Sequence, residues 1–333
     1  MTEELMSLRA VLAETDALLL RGRSAAPRVW ATGFPALDTY LGGGIRAGEL
    51  TLLGGPQGLG KTTLALQILR NIAAGGDQAV YFSFEHDPAT VLERLIACEA
   101  GEHLGLDAVT TRRVREAFQA ADGRSSTLAE RLDDTPGGAE AVSAVAGYAD
   151  RLLVHRSSGA VTDLEAIRRT VLSVSAETGE PPVIVVDYLQ KIPVLGHHDI
   201  EEERVTWIVE GLKDLALEIG IPVMAIVAAD KDGLAAGKRL RVHHLRGSTA
   251  LAYEPDVVLL LNDKYDVVAR HHLVYHVTNA ERYHEWVVLS IEKNRGGLDR
   301  VDLEFRKNFE NSRFDTEGQL VTEQLMDDRV FVE

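Results

Sequence analysis

The stretch Gly-Gly-Pro-Gln-Gly-Leu-Gly-Lys-Thr-Thr at positions 54–63 constrains this chain more than any other. From Gly55 it fits the pattern Gly-x-x-x-x-Gly-Lys-[Ser/Thr], with Pro56, Gln57, Gly58 and Leu59 leading to Gly60, Lys61, Thr62 and Thr63. Small residues let successive backbone N–H groups curl around a phosphate. The lysine reaches the β- and γ-phosphates and the threonine hydroxyl ligates Mg2+. The flanks suit that reading. Glu49–Gly54 is a short apolar strand candidate, and Thr62–Ala74 continues as an apolar-periodic helix. Such a helix aims its positive N-terminal end at the phosphates. A glycine-rich turn without this strand and helix would carry much less weight. The pattern predicts a nucleoside triphosphate site.

At 333 residues the chain can hold one large domain or two ordinary ones. Its 45% hydrophobic and 26% charged content fits a globular protein with a sizeable core. No apolar run approaches the ~20 residues of a transmembrane helix, so no membrane association is expected. The N-terminus is acidic and amphipathic, unlike the basic-then-apolar layout of a signal peptide. Cys98 is the only cysteine, which excludes an intramolecular disulfide and a cysteine-based zinc site. A reducing cytoplasm is the simplest home. The net charge of −16 makes the chain a poor non-specific polyanion binder. Any nucleic-acid contact therefore needs a local basic patch. Three His-His pairs (His197-His198, His243-His244, His271-His272) invite a metal reading. It fails on geometry, because adjacent strand residues point to opposite faces and no carboxylate or cysteine completes a set.

Residues 5–22 place Leu5, Leu8, Val11, Leu12, Leu18 and Leu19 at helical spacing, followed by a linker-like Arg23–Arg28. This helix packs on its own domain or docks on a neighbouring subunit. Strand candidates then alternate with helices: Glu49–Gly54, Ala79–Phe84, Leu152–His155, Val183–Asp187, Val223–Ala228 and Val257–Leu261, with helices at Ala89–Ala100, Leu164–Thr178 and Glu202–Ile219. Uninterrupted runs such as Val183–Val186 suit strands buried on both faces of a parallel sheet. The alternation predicts an α/β domain with ligands at the carboxyl ends of the strands. Leu273–Val277, Trp286–Glu292 and Val301–Phe305 follow as strands without intervening helices, so an antiparallel hairpin extension is expected. Residues 101–150 read as helical and polar without a recognisable motif, and residues 315–333 as an acidic, peripheral tail.

Three further segments stand where a phosphate-loop ATPase would put them. Glu85 follows the second strand and can orient and deprotonate an attacking water. Asp187 ends an apolar strand, the pattern of a carboxylate that holds Mg2+ through water. Lys293 and Arg295 end a late strand before Gly296-Gly297. As surface charges they need no explanation; alternatively they stabilise charge on a neighbour's nucleotide, as an arginine finger does in trans.

Together these residues carry a resemblance. Residues 29–314 resemble the RecA-like ATPase domain of DnaB-type replicative helicases. The segment Thr32-Gly33-Phe34, Leu37-Asp38, Leu41-Gly42-Gly43-Gly44 is shared with the wider RecA, RadA and KaiC group. Asp187-Tyr188-Leu189-Gln190, Leu245-Arg246-Gly247-Ser248 with Asp256, Lys293-Asn294-Arg295-Gly296 and Ser312-Arg313-Phe314 are more DnaB-like and come in the family's order. The resemblance implies a RecA-like phosphate-loop NTPase core with a mostly parallel sheet, a C-terminal β-hairpin extension and a short N-terminal helix. It implies ATP and Mg2+ as cofactors, Lys61 and Thr62 on phosphate and metal, Glu85 as catalytic carboxylate and Asp187 as the strand-end metal acid. Lys293 and Arg295 become the trans-acting cations. Residues 230–246 would line the channel of a hexameric ring around single-stranded DNA. That stretch carries Lys231, Lys238, Arg239, Arg241 and Arg246, the patch the net charge demands. A flexible solvated loop is the plainer reading.

The chain also departs from the family. The Ser-Gln pair after the Val223–Ala228 strand, whose glutamine senses γ-phosphate, is replaced by Ala228-Ala229 after Val227. Arg-Glu-Ser-Gly reads Arg246-Gly247-Ser248-Thr249, and the acidic run that follows reads Leu251-Ala252-Tyr253-Glu254-Pro255-Asp256. Nucleotide-to-DNA coupling passes through those positions in the family. Of the helicase N-terminal region, which recruits primase, only the 5–22 helix is expected, in the place of the family's linker helix. Two functions follow from the resemblance: a ring ATPase or helicase acting on single-stranded DNA, and a KaiC- or RadA-like regulatory ATPase that switches protein partners without unwinding.

Overall fold

The computed structural model describes residues 5–119, 123, 125–194, 200–234, 237–274 and 281–328. In chain order α1 (Leu8–Leu20) precedes β1 (Val29–Trp30), α2 (Pro35–Tyr40) and β2 (Ile45–Arg46). The core then runs β3 (Leu50–Gly54), α3 (Lys61–Ala74), β4 (Ala79–Ser83), α4 (Pro88–Leu104), α5 (Thr111–Phe118), α6 (Leu128–Leu132), α7 (Gly138–Tyr148), β5 (Leu152–Arg156) and α8 (Leu164–Thr178). It continues through β6 (Val183–Asp187), α9 (Glu201–Ile219), β7 (Val223–Val227), α10 (Ala250–Tyr253) and β8 (Val257–Asp263). The remainder is α11 (Lys264–Val267), α12 (Arg270–Val274), β9 (Trp286–Asn294), β10 (Val301–Asn308), β11 (Arg313–Phe314) and β12 (Gln319–Leu320).

Six strands in the order β8-β3-β7-β6-β4-β5 are parallel, which brings all their carboxyl ends to one edge. The reason is legible in β6. Val183 and Val185 pack into one hydrophobic core with Leu64 and Ile68 of α3, while Ile184 and Val186 pack into a second with Ile167 of α8 and Ile208 and Leu212 of α9. A strand buried on both faces has no polar face to offer water, so helices must cover the sheet on either side. β9 joins β8 antiparallel, β10 joins β9, and β11 and β12 both pair with β10. This is the expected hairpin extension of a RecA-like α/β core.

The strand expected at Leu273–Val277 is corrected in part. Leu273 lies in the helix Arg270–Val274, and residues 275–280 lie outside the described residues. The His272 N–H donates to the Ala269 carbonyl, a local bond that takes a group a strand ladder would have used. Past Phe314 the chain lies along the antiparallel side of the sheet. Isolated bridges join Val268 to Leu325 and Lys238 to Asp328.

The antiparallel extension encloses an ionic cluster. The Lys264 ammonium is buried, pairs with Glu304, lies 2.9 Å from Glu323, and sits 4.7 Å from the centre of the Tyr283 ring. Removing one partner of such a pair leaves a charge without compensation. Lys264→Met is therefore expected to cost about 3–5 kcal/mol. The double variant Lys264→Met/Glu304→Leu should recover most of that loss in urea melts. A single-variant cost below about 1 kcal/mol would show that the cluster is not held this way.

α1 stands apart. None of its residues is buried; Leu8 is 87% and Leu20 88% exposed. It is capped by the Ser7 hydroxyl, which accepts from the Ala10 amide at 3.2 Å. Its apolar stripe finds no cover on its own domain.

Candidate active site

The glycine-rich loop follows β3 at the carboxyl edge of the sheet. Gly58 and Gly60 have φ of 82° and 86°, left-handed backbone that a side chain would strain. A Cβ on Gly60 would also meet the Phe309 and Phe314 rings at 2.7 Å. Gly60 is the N-cap of α3, so the unsatisfied amides of the first helical turn open into the loop. Lys61 Nζ donates to the carbonyls of Gly55 (2.7 Å) and Pro56 (2.9 Å). Burial pulls its pKa below the ordinary lysine value, and the carboxylates of Asp187 and Glu85 work the other way.

Asp187 ends β6 and is 1% exposed. Its Oδ2 accepts from the Thr62 hydroxyl and from the Tyr81 phenol, each at 2.6 Å. Burial, reinforced by Asp187, pushes the Tyr81 pKa up, so the phenol stays a neutral donor. The donor set suits Mg2+. A hydroxyl that donates its proton to Asp187 keeps a lone pair for a metal, and a hard divalent cation takes oxygen ligands from few protein groups plus phosphate and water.

β4 places the last expected carboxylate. Ser83 pairs with Asp187 in the sheet register. Its hydroxyl donates to the His86 carbonyl (2.7 Å) and accepts from the His86 amide (3.0 Å). That turn brings Glu85 to a cavity of about 750 Å3 shared with Gly55, Gln57, Gly58, Gly60, Lys61, Thr62, Thr63 and Asp187. Of the other loop residues, Pro56 contributes its carbonyl to Lys61, and Leu59 packs toward the core.

Several cavity residues escaped the sequence reading. His86, Arg94, Thr111, Arg115, Phe309 and Ser312 line it too. Thr111 and Arg115 lie on α5, in the stretch without a motif. The Thr111 and Ser312 hydroxyls are 2.8 Å apart, and Asn311 Nδ2 donates to the Val109 carbonyl at 2.9 Å. Only Ser312 had a signal, as part of Ser312-Arg313-Phe314.

Lys293 and Arg295 do not join this cavity. Asn294 pairs with Val257 and Val257 with Thr51, at the start of β3, whereas the glycine loop follows its end. Lys293 Nζ donates to the carbonyls of Ala252 (2.9 Å) and Tyr253 (2.7 Å). Arg295 donates to the Tyr253 carbonyl (2.5 Å) and stands 3.5 Å from Asp256.

The five expected nucleic-acid cations are not one surface. Arg239 is 5% exposed, ion-paired with Asp302 and 3.0 Å from the Ser290 hydroxyl. Arg241 bonds Glu292 (2.6 Å) and Asp327 (2.5 Å). Arg246 is largely exposed and 2.9 Å from Glu201. Lys231 is exposed and Lys238 half-buried, without a carboxylate partner among the described residues. A buried or doubly paired guanidinium has already spent its charge, so Arg239 and Arg241 act as internal ties.

The missing amide after β7 has a neighbour in its place. Gln190 Oε1 accepts from the Ala228 amide (3.2 Å) and its Nε2 donates to the Arg246 carbonyl (2.9 Å). Of the histidine pairs, His197 and His198 lie outside the described residues. Among the described residues no helix is long and apolar enough to cross a membrane.

Residues 30–315 match the family described as DnaB-like helicase C terminal domain. The chain belongs to this family. A replicative DNA helicase DnaB of Treponema pallidum is 29% identical over 283 residues, 84% of this chain and 54% of that protein. One from Pasteurella multocida is 27% identical over 288 residues, 86% of this chain and 55% of that protein. A Mycobacterium tuberculosis DNA repair protein RadA is 32% identical over 127 residues, 34% of this chain and 26% of that protein. The chain thus spans about half the length of the DnaB relatives it matches. Among solved structures, an isolated ATPase domain superposes with a TM-score of 0.71 at 18% identity, covering 93% of this chain and 99% of that one. A DnaB-like replicative helicase, described with its interactions with primase, gives 0.70 at 18% identity over 92% and 67%. The DnaB-like C-terminal family is one of phosphate-loop ATPases, and the glycine-rich loop of this chain lies at the carboxyl edge of the sheet.

Proposed function

We propose that this DnaB-like domain hydrolyses ATP in a ring of six copies and acts on single-stranded DNA. The observation that carries the reading is the division of the site. Lys61, Thr62, Glu85 and Asp187 meet in one cavity, while Lys293 and Arg295 lie at the opposite edge of the same sheet. Cations so placed serve a cavity only on an adjoining copy. The uncovered apolar stripe of α1 fits the same assembly, since a neighbouring copy can bury it. As the chain's single cysteine, Cys98 forms no intramolecular disulfide, which suits a reducing cytoplasm, and the exposed helix α1 offers a surface to protein partners.

In this mechanism the loop amides and Lys61 hold the β- and γ-phosphates. Thr62 and Asp187 would hold Mg2+, which would supply charge neutralisation at those phosphates. Glu85 takes a proton from the water whose oxygen bonds to the γ-phosphorus as the bond to the ADP oxygen breaks. Lys293 and Arg295 of the adjoining copy stabilise the charge that builds on the transferring group.

DNA action is tested by salt. For single strands the logarithm of affinity falls with that of salt by about 0.7 per neutralised phosphate. Lys231, Lys238 and Arg246 are the cations available for that contact. Their triple replacement by alanine should flatten the slope and abolish stimulation of ATP turnover by single strands, read by anisotropy and phosphate release. A wild-type protein that assembles and turns over ATP, yet neither binds DNA at low salt nor responds to it, would defeat the DNA assignment.

A further inference from the structure

Tyr81 lies in β4, is fully buried, and packs in the core with Leu64 and Ile68 of α3. An apolar ring would fill that space equally well. A buried phenol also needs an acceptor, and a backbone carbonyl would serve. Tyr81 instead donates to a carboxylate of the site, Asp187 Oδ2, at 2.6 Å.

The strand register makes this contact. In the parallel β4–β6 ladder Tyr81 pairs with Val185 and Ser83 with Asp187. Residues two apart share a face of a strand, so Tyr81 and Ser83 lie on one face of β4, and Val185 and Asp187 on one face of β6. Tyr81 and Val185 belong to the same core as α3, so these two faces are on the same side of the sheet. The phenol thus reaches along the sheet to the acid two residues further on. On the same face of β4 the Ser83 hydroxyl bonds the His86 amide and carbonyl, in the turn that carries Glu85. One face of one strand serves both carboxylates.

Two donors meet on one oxygen of Asp187. Oδ2 accepts from the Thr62 hydroxyl of α3 and from the Tyr81 phenol of β4, each at 2.6 Å, the length of a charge-assisted O–H···O bond. Among the described residues Oδ1 accepts no hydrogen bond. The terminal torsion of an aspartate is soft, and a single donor leaves the carboxylate room to turn. Donors from two separate elements define its plane. We propose that Tyr81 is a positioning residue for the metal site: its phenol fixes the Asp187 carboxylate in the orientation that orders the Thr62 hydroxyl and leaves Oδ1 uncommitted. This inference rests on the reading of the cavity as a Mg2+-dependent ATPase site, and its effect passes through Asp187.

The test uses the full chain and the non-hydrolysable β,γ-imido analogue of ATP, with affinity read by calorimetry in Mg2+ and again in EDTA. The ratio of the two affinities measures what the metal adds. Tyr81→Phe keeps the ring and removes only the hydroxyl. It should shrink that ratio about tenfold, the lower end of what hydrogen-bond partners of metal ligands contribute, and leave the affinity in EDTA unchanged. Turnover should fall as well and recover as Mg2+ is raised. A ratio within about twofold of wild type would overturn the proposal. Equal losses with and without metal would overturn it too, making the phenol a core contact. A wild-type chain with a metal-dependent affinity but no turnover would defeat hydrolysis, and the ratio would still decide Tyr81. A wild-type affinity indifferent to Mg2+ would defeat the metal site and the proposal with it.

Discussion

Glu85→Gln is expected to lower ATP turnover about 10²–10⁴-fold while leaving ATP bound. The turn fixed by Ser83 brings this carboxylate into the cavity without giving it a phosphate to hold. In the proposed mechanism it acts on the water, so the amide keeps the shape and loses the base. Lys61→Ala should behave differently. The ammonium sits between the loop carbonyls of Gly55 and Pro56 and is the cation of the loop itself. Its loss should abolish turnover and weaken nucleotide binding together. Single-turnover phosphate release and equilibrium binding of a labelled nucleotide separate the two. Near wild-type hydrolysis by Glu85→Gln would remove Glu85 from the role of base.

A second large effect is expected at the far end of the strands. Arginine fingers contribute about 10³–10⁵ in turnover where they have been removed. Arg295→Ala should fall in that range even though Arg295 lies outside its own subunit's cavity. Asp256 stays satisfied in the variant, because Lys213 lies 2.7 Å away and the Leu50 amide donates to it at 2.8 Å. The melting temperature should therefore hold within a few degrees while turnover collapses. Activity per subunit should rise steeply with concentration in the wild type. Mixing Arg295→Ala with Glu85→Gln should restore part of it, since some contacts then join an intact cavity to an intact Arg295. Mixed assemblies shown to form but without recovery would sink the trans assignment.

Much of the fold is legible in the sequence because burial leaves a written trace. Val183–Asp187 is apolar at every position but the last, and it emerges as a strand covered on both faces and ending in the buried acid. Leu164–Thr178 is bounded by Asp163, which caps it, and Gly179, which closes it in left-handed backbone. The cavity is legible only where chemistry demands a spacing. Gly55 to Thr63 is such a place. Arg94 is not, since it sits in an ordinary helical pattern and only the fold brings it to the cavity wall. Thr111 and Arg115 reach the cavity through Asn311 and Ser312, some two hundred residues away along the chain.

The basic stretch shows the converse. Counting cations at 231–246 cannot reveal that Asp302, Glu292 and Asp327 neutralise Arg239 and Arg241 across the fold. Charge is local in a sequence and pairwise in a structure. Leu273 failed for a related reason: apolar residues beside two histidines suit a strand or a helix equally, and the local hydrogen bonds decided.

The shared strands give this domain a stiff backbone path between its two chemical ends. Gly54 runs straight into the phosphate-binding turn, Thr51 is bonded to Val257, and Val257 to Asn294, which separates Lys293 from Arg295. The steps along that path are sheet pairings and peptide links, with one register shift in the β8–β9 pairing between Val258 and Leu259. In the proposed assembly, the turn that holds the ligand and the pair of cations reaching the neighbour are thus joined through paired strands. In a closed circle of such units, a displacement at one contact would reach the next through paired backbone.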